Sequence, residues 1–385
     1  MNNFVYENPT KIIFGQGQIS KISREIPAGS KVLITYGGGS VKKTGVLDEV
    51  KAALEGYDIV EFGGIEPNPT YETMMKAIEM VHSQKIDYLL AVGGGSVIDG
   101  TKFVAVGARY DGDPWEIMIR RGKGINEALP LGVVLTLPAA GSESNPRAVI
   151  SRKSMNAKIS LYSHAVFPRF AVLDPTKTYT LPIKQISNGV IDAFMHVFEQ
   201  YMTCQMEARL QDRFAEGILH TLIELGPVAL QEPENYDVRA NLMLCATMAL
   251  NGLIAAGVPQ DWSTHMVGHE LTALYGMEHA STLAALAPGM LTVLKDKKHA
   301  KLLQYGERIW GLTEGSEDER IDQAIAKTKA FFETMNLKTN LSDHGLTRDN
   351  IPEILDSLRA HDMVRLGEDQ DVTPEVVRQA LELSF

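Results

Sequence analysis

The sequence has 385 residues, of which 44% are hydrophobic and 22% are charged, and its formal net charge is −11. This length favours two domains over one, and the composition is typical of a folded α/β protein and excludes a largely disordered one. The acidic balance and the lack of a dense Lys/Arg run argue against a nucleic-acid-binding surface, so we expect small-molecule partners.

Two features bear on the compartment. Only two cysteines are present, Cys204 and Cys245, so there is no disulfide framework. Residues 1–7 show no basic segment followed by an apolar core, and no stretch approaches the roughly 20 apolar residues that span a bilayer. We expect a cytoplasmic protein with no membrane partner.

The first half of the sequence alternates short apolar runs with segments of helical length. The runs lie at 31–36, 88–92, 131–136 and 170–173. Continuous apolar strands separated in this way are typical of a parallel sheet that helices cover on both faces. We therefore predict a doubly wound, dinucleotide-binding α/β domain over residues 1–182.

The second half turns helical from about Pro182. Ser316 and Glu319 form a capping box ahead of apolar residues at helical spacing, and Thr373 with Pro374 marks the start of the last helix. We predict an all-α, metal-binding and substrate domain over residues 183–385. Because no flexible linker separates the halves, we expect the two domains to pack around a shared cleft.

Two of the predicted strands are followed by the same sequence, Gly-Gly-Gly-Ser, at 37–40 and 93–96. Such a turn before a helix lets backbone N–H groups approach an anion, and the helix N-terminus adds favourable partial charge. Neither loop matches the G-x-G-x-x-G fingerprint, and one such loop alone would equally suit an ordinary turn. The presence of two such loops favours a phosphate-binding site that differs from the standard dinucleotide-binding fingerprint. Asp99, one turn into the second helix, would orient a cofactor group or simply favour the helix start.

The first loop also bears on the choice between NAD and NADP. A carboxylate near the adenosine ribose favours the 2′-hydroxyl of NAD and repels the 2′-phosphate of NADP. Residues 37–43 contain no acid but include Ser40, Lys42 and Lys43. This set suits a phosphate, unless the two lysines are only a solvated surface pair. We expect NADP(H) to be favoured over NAD(H).

A carboxylate and an imidazole, Asp192 and His196, stand four residues apart, so on a helix both side chains share one face. That face lies opposite the apolar stripe of the same helix, so the pattern also fits an Asp–His pair that is exposed to solvent. Three of the ten histidines, His265, His269 and His279, fall in one mainly apolar segment. Their clustering favours a functional site over chance.

His265 and His279 would lie roughly 21 Å apart on one straight helix, so they can share a site only if the chain turns back between them. Gly276 supplies a residue suited to that turn. Three imidazoles and one carboxylate would then converge from two or three segments. This ligand set fits one divalent metal ion, Zn²⁺ or Fe²⁺.

These motifs, in this order along essentially the whole chain, resemble those of the iron-containing (group III) alcohol dehydrogenases, which share the dehydroquinate synthase-like fold. Residues 33–43, 135–138 and 257–262 look like the bacterial branch of NADPH-dependent aldehyde reductases and butanol dehydrogenases. The resemblance implies an α/β domain, a helical domain, frequent homodimers, and reduction of short aldehydes.

By the resemblance, Asp192, His196, His265 and His279 correspond to the metal ligands, and His269 to a proton relay beside the nicotinamide. An aspartate commonly stands at the place of Gly38 in NAD-preferring relatives, so the glycine here favours NADPH. Together with the loop glycines, the candidate cofactor-binding residues are Gly37, Gly38, Gly39, Ser40, Asn68, Gly94, Gly95, Ser96, Asp99, Thr136, Ser142 and Lys158.

Three other functions share parts of this pattern. The nearest is an NAD(H)-linked butanol or polyol dehydrogenase, and a remote one is a metal-dependent cyclising lyase of the dehydroquinate synthase type. Such a lyase needs basic residues for phosphorylated sugars, and 192–205 and 255–279 contain no Lys or Arg. A non-catalytic binding module is disfavoured by four intact ligand positions.

Overall fold

The computed structural model describes residues 1–385 and divides into two compact units. The α/β unit contains Glu7–Leu181 and Pro233–Asn251, and the helical unit contains Met1–Tyr6, Pro182–Glu232 and Gly252–Phe385. The main break lies beside the expected boundary at 182/183, but residues 1–6 group with the helices and 233–251 with the sheet. The hydrophobic pattern of the sequence does not predict either of these two assignments, because they depend on which surface each segment packs against.

The α/β unit is built on a six-stranded sheet in which every neighbouring pair is parallel. A separate antiparallel hairpin, β6 and β7, follows the fifth strand. The strand order in the main sheet is β1-β8-β5-β4-β2-β3. The strands are β1 Lys11–Phe14, β2 Lys31–Tyr36, β3 Asp58–Phe62, β4 Tyr88–Gly94, β5 Leu131–Leu137, β6 Arg147–Arg152, β7 Ala157–Tyr162 and β8 Phe170–Leu173.

Helices cover both faces of this sheet, which is why its strands are apolar on both sides. Leu33 and Leu89 belong to one buried cluster, and their chain neighbours Ile34 and Leu90 belong to a second cluster on the opposite face. The helices of this unit are α1 Ser40–Lys43, α2 Val46–Ala53, α3 Tyr71–Gln84, α4 Gly95–Gly107, α5 Trp115–Ile119 and α8 Tyr236–Ala249.

The helical unit contains no strand. Its helices are α6 Ile183–Tyr201, α7 Arg209–Gln231, α9 Ser263–Tyr275, α10 His279–Val293, α11 His299–Trp310, α12 Glu317–Thr334, α13 Ile351–Ala360 and α14 Pro374–Leu383. No helix of the structure combines the length and the apolar character that a bilayer crossing requires.

The predicted doubly wound sheet and the predicted helical second half are confirmed. All four predicted strands are present, as β2, β4, β5 and β8. The capping box at Ser316 and Glu319 is present and begins α12. Helix α14 begins at Pro374 as predicted, although the Thr373 hydroxyl makes no capping hydrogen bond. Strands β1 and β3 and the hairpin β6–β7 were not predicted from the sequence.

Gly132, inside β5, shows how tightly this sheet is packed. It pairs with Phe170 of β8, and a Cβ added at Gly132 would lie 2.4 Å from the Phe170 ring, which is fully buried. We therefore expect Gly132→Ala to lower the free energy of unfolding by about 1–3 kcal/mol, the usual cost of overpacking. The urea midpoint measures this effect.

Gly217→Ala is the matched control. Gly217 lies inside α7, is exposed, and an added Cβ would meet nothing within 4 Å. Since alanine favours helix, this variant should gain up to about 1 kcal/mol. Equal midpoints for Gly132→Ala and the parent protein would show that β5 and β8 are not packed as described.

Candidate active site

Three helices of the helical unit carry the predicted metal ligands. Asp192 and His196 lie on α6, His265 lies on α9, and His279 is the first residue of α10. The turn between α9 and α10 forms at Gly276, which has a φ of 67° and caps the end of α9. The predicted chain reversal is therefore confirmed.

Two packing features set the positions of these helices. On α6, Phe194 packs against Phe331 and Phe332 of α12, with ring centroids 5.3 and 5.5 Å away. On α9, a Cβ at Gly268 would lie only 2.6 Å from Thr282 Oγ1, so glycine is what lets α10 come this close. Asp192 and His196 are themselves only 7% and 6% exposed, which excludes an exposed Asp–His pair.

The four predicted ligands come together around one carboxylate oxygen. The distances from Asp192 Oδ1 are 3.7 Å to His196 Nε2, 4.0 Å to His265 Nε2 and 3.6 Å to His279 Nε2. Donor atoms of Asp192, His265 and His279 all lie within 4.8 Å of one another. His196 joins them through ring stacking on His265, with centroids 4.8 Å apart.

This geometry fits a metal ion better than a hydrogen-bonded cluster. The Asp192 Oδ1 atom is buried and accepts no hydrogen bond, a costly state for a carboxylate. The nitrogens stand too far from it for hydrogen bonds, whereas two tetrahedral ligands of one ion at about 2.1 Å are ~3.4 Å apart. One carboxylate and three neutral imidazoles are also a common donor set for Zn²⁺ and Fe²⁺.

Glu199, on α6, supports the site and was missed in the sequence analysis. Its Oε2 pairs with His265 Nδ1, and its Oε1 accepts a 2.7 Å hydrogen bond from the backbone N–H of Thr264. A carboxylate on Nδ1 leaves the Nε2 lone pair of an imidazole facing the site, as in many metal centres. The i, i+3 spacing of His196 and Glu199 was the only available signal.

Burial and the nearby carboxylate of Asp261 raise the pKa of Glu199 to about 8. The backbone N–H groups of Thr264 and His265 and the ammonium of Lys298 oppose this rise, because each stabilises the charged form.

Two further side chains lie beside the histidines. The ring centroid of His269, the predicted proton relay, is 5.3 Å from that of His279. Trp262, with a left-handed φ of 64°, places its ring 5.2 Å from His265 and 6.1 Å from His196. His279 is the most exposed predicted ligand, with 25% of its side chain accessible.

In the α/β unit, both glycine loops lie at one place in the sheet. They follow β2 and β4, which are neighbours in the strand order. From β2 the chain goes on to β3 at one edge, and from β4 it goes on to β5 on the other side. This reversal of strand order is where open α/β sheets bind nucleotides.

The second loop brings several predicted cofactor-binding residues together. Gly94 ends β4 and Gly95 begins α4, so the first N–H groups of a 13-residue helix follow directly on the strand. The backbone N–H of Asn68 donates a 3.3 Å hydrogen bond to Ser96 Oγ. These groups form the kind of helix N-terminus that binds phosphate.

Asp99 has internal partners on both oxygens. Ser142 Oγ donates to Oδ1 at 2.6 Å, and the backbone N–H of Val149 donates to Oδ2 at 2.9 Å. Burial raises the pKa of Asp99, and the charge of Lys102 opposes this rise. Asp99 thus fixes the loop that carries Ser142, a role beyond the helix-start effect considered from the sequence.

Lys102, missed in the sequence analysis as a functional residue, organises the same loop. Its fully buried ammonium donates to Ser142 Oγ at 3.0 Å and to the carbonyl oxygens of Asn145 and Arg147 at 2.9 and 2.8 Å. Burial lowers the pKa of Lys102 to about 8. Position 102 lies one helical turn after Asp99, but nothing in the sequence reveals its acceptors.

The first loop contains no acidic residue, but a carboxylate from the neighbouring strand β3 lies beside it. Lys42 Nζ lies 3.7 Å from Glu61 on β3 and 4.9 Å from the centre of the Tyr36 ring. The Tyr36 hydroxyl donates a 3.0 Å hydrogen bond to Glu61, and Lys51 is also paired with it. The negative charge of Glu61 therefore partly offsets the positive charge of Lys42.

The remaining predicted cofactor-binding residues lie in the same unit. Gly37, Gly38, Gly39 and Ser40 form the turn between β2 and α1, with Gly39 at a φ of 100°. Thr136 lies near the end of β5, beside β4. Lys158 lies on β7, and its side chain is buried.

The model of the family described as iron-containing alcohol dehydrogenase matches residues 9–175. The model described as the C-terminal part of the Fe-containing alcohol dehydrogenase family matches residues 186–384.

Relatives match over nearly the whole length. The chain is 60% identical over 384 residues to the NADPH-dependent aldehyde reductase YqhD of Escherichia coli (strain K12), covering 99% of each. It is 40% identical over 366 residues to the probable NADH-dependent butanol dehydrogenase 1 of Bacillus subtilis (strain 168), covering 94% of each. A crystal structure of E. coli K-12 YqhD has a TM-score of 0.99 at 59% identity, covering 100% of this chain and 99% of that one.

Proposed function

Because the chain belongs to the iron-containing alcohol dehydrogenase family, as its motifs predict, we propose that it is a metal-dependent, NADP(H)-linked aldehyde reductase and alcohol dehydrogenase. Its reaction would reduce short-chain aldehydes to primary alcohols by direct hydride transfer. One observation carries the proposal: three imidazole nitrogens surround Asp192 Oδ1 at 3.6–4.0 Å. The 60% identity to an NADPH-dependent aldehyde reductase supports it.

We assign Asp192, His196, His265 and His279 as the ligands of one divalent ion, zinc or iron. When bound, the ion supplies Lewis acidity toward the carbonyl oxygen and the cofactor supplies the hydride. Glu199 holds the His265 ring in the orientation that presents Nε2.

The chain's own residues would then orient the reactants and move one proton. The ligand side chains fix where the substrate oxygen sits, and orientation of this kind contributes a large share of many rate enhancements. His269, close to His279, would deliver the proton that the carbonyl oxygen gains when the aldehyde becomes an alcohol.

We assign the cofactor to the carboxyl ends of β2 and β4. The start of α4 would take the pyrophosphate, and Ser40, Lys42 and Lys43 would favour the 2′-phosphate of NADP. Reduction is the expected main direction, because NADPH usually serves reductions.

A second candidate is an NAD(H)-linked butanol or polyol dehydrogenase. The observation in its favour is Glu61, since a carboxylate 3.7 Å from Lys42 weakens the attraction of that lysine for a phosphate. The 40% identity to a probable NADH-dependent butanol dehydrogenase is consistent with it.

One assay separates these functions. The protein, loaded with Zn²⁺ or Fe²⁺, is incubated with NADPH or NADH and a panel of short aldehydes, and the absorbance of the reduced nicotinamide is followed. We expect faster oxidation of NADPH than of NADH. Reduction of no aldehyde with either cofactor would refute the proposal, and faster oxidation of NADH would favour the second candidate.

Homodimerisation and a cytoplasmic location are also part of this proposal. Sedimentation in solution tests the first, and fractionation of cells tests the second.

A further inference from the structure

Close to the helices that carry the predicted ligands lies a second buried group of charges, formed by Lys298, Asp261 and Glu368. Lys298 stands between α10 and α11 and is only 3% exposed. Its ammonium contacts the Asp261 carboxylate, both oxygens of Glu368 at 3.2 Å and the backbone carbonyl of Met202 at 2.6 Å. Four acceptors around one buried ammonium make a fixed junction.

Two partners of Lys298, Met202 and Asp261, adjoin helices that carry the proposed metal ligands. Met202 directly follows α6, the helix of Asp192 and His196, and caps its end; α6 has no basic residue of its own in its last turn. Lys298 therefore supplies the cation that a helix C-terminus favours.

Asp261 connects the junction to α9. Its Oδ1 accepts a 2.8 Å hydrogen bond from the backbone N–H of Ser263, the first residue of that helix. Its own N–H donates a 3.1 Å hydrogen bond to the carbonyl of Glu199 on α6. Asp261 thus joins the start of the His265 helix to α6, which carries two of the other three proposed ligands, Asp192 and His196.

The charge balance requires Lys298. Three buried carboxylates, those of Glu199, Asp261 and Glu368, have side-chain exposures of 5%, 5% and 1%. Without the ammonium, Asp261 and Glu368 would meet as two buried negative charges and move apart. A shift of Asp261 would move the start of α9 and, with it, His265.

We propose that Lys298 is a positioning residue of the metal centre: by joining the end of α6 to the start of α9, it holds Asp192, His196 and His265 at the separation that one divalent ion requires. The inference rests on the proposed metal site. It adds a residue that touches neither the ion nor any ligand.

The test compares metal affinities of apo-proteins. Zn²⁺ and Co²⁺ affinities of the parent protein, Lys298→Met and Lys298→Arg are measured by competition with a chromophoric chelator. We expect Lys298→Met to bind metal about tenfold more weakly, the lower end of the range for groups bonded directly to metal ligands, because Lys298 acts through the two helices and not on a ligand. The Co²⁺ absorption bands of the loaded variant should also shift, since the ligands no longer hold the same geometry. Lys298→Arg should recover part of the affinity.

Lys297→Met is the matched control. Lys297 is the chain neighbour of Lys298 and pairs with Asp369 and Asp371, which follow Glu368 in the chain, but 26% of its side chain is exposed. Its removal should leave the affinity and the Co²⁺ spectrum unchanged. If circular dichroism shows that Lys298→Met is not folded, Asp261→Asn is measured in its place, because asparagine keeps the shape of the Asp261 side chain and removes only its charge.

The outcomes are distinct. A parent protein that binds neither Zn²⁺ nor Co²⁺ would refute the proposed metal site itself. A parent that binds metal, together with a folded Lys298→Met or Asp261→Asn variant of equal affinity and spectrum, would refute only the role of Lys298.

Discussion

His265→Ala is expected to remove the metal ion and to lower kcat/KM for aldehyde reduction by about 1,000-fold or more, since Lewis-acid stabilisation contributes several kcal/mol. His265 Nε2 lies 4.0 Å from Asp192 Oδ1, and its Nδ1 is paired with Glu199. Metal content by atomic absorption and steady-state kinetics measure the two losses on the same sample.

A loss of stability will accompany this change, because Glu199 then remains buried without its imidazole partner. That effect is about 1–3 kcal/mol, so circular dichroism must show that the variant is folded before the kinetics are interpreted. His279→Ala avoids the problem, since its side chain is partly exposed. His220→Ala, at an exposed position on α7, is the control and should keep metal and activity. Full metal content and turnover in folded His265→Ala would show that the ligand assignment is wrong.

Gly38→Asp is expected to reverse the cofactor preference. A carboxylate at this position would repel the 2′-phosphate of NADP and accept a hydrogen bond from the 2′-hydroxyl of NAD. A repulsion of a few kcal/mol at ~4 Å lowers kcat/KM for NADPH by about 100-fold, with little change for NADH. The ratio of the two kcat/KM values is the measurement.

The structure allows this substitution. Gly38 is exposed, its φ lies outside the left-handed region, and an added Cβ would meet no atom within 4 Å. Gly38→Asn is the control of the same size without the charge, and it should retain most of the NADPH activity. Equal losses with NADPH in both variants would mean that bulk, rather than charge, matters there, and the 2′-phosphate would have to bind elsewhere.

Much of the α/β unit follows from the sequence because its strands are continuous apolar runs flanked by helical segments. The strands that were missed lack such a run or lie outside the main sheet: β1 has four residues, β3 is only partly buried, and the hairpin is separate. The exchange of residues 233–251 into the α/β unit has no local pattern at all.

The sequence by itself determined which side chains could bind a metal ion and which loops could approach a phosphate, because residue type and spacing along one helix or turn are local properties. Only the tertiary structure decided that Asp192 and His196 are buried against α9 and α10 instead of facing water. It also supplied Glu199, Lys298 and Glu61, whose partners lie 66, 37 and 19 positions away in the chain. Charged residues like these have no periodic signature, since their roles arise only where packing brings distant segments within a few ångströms.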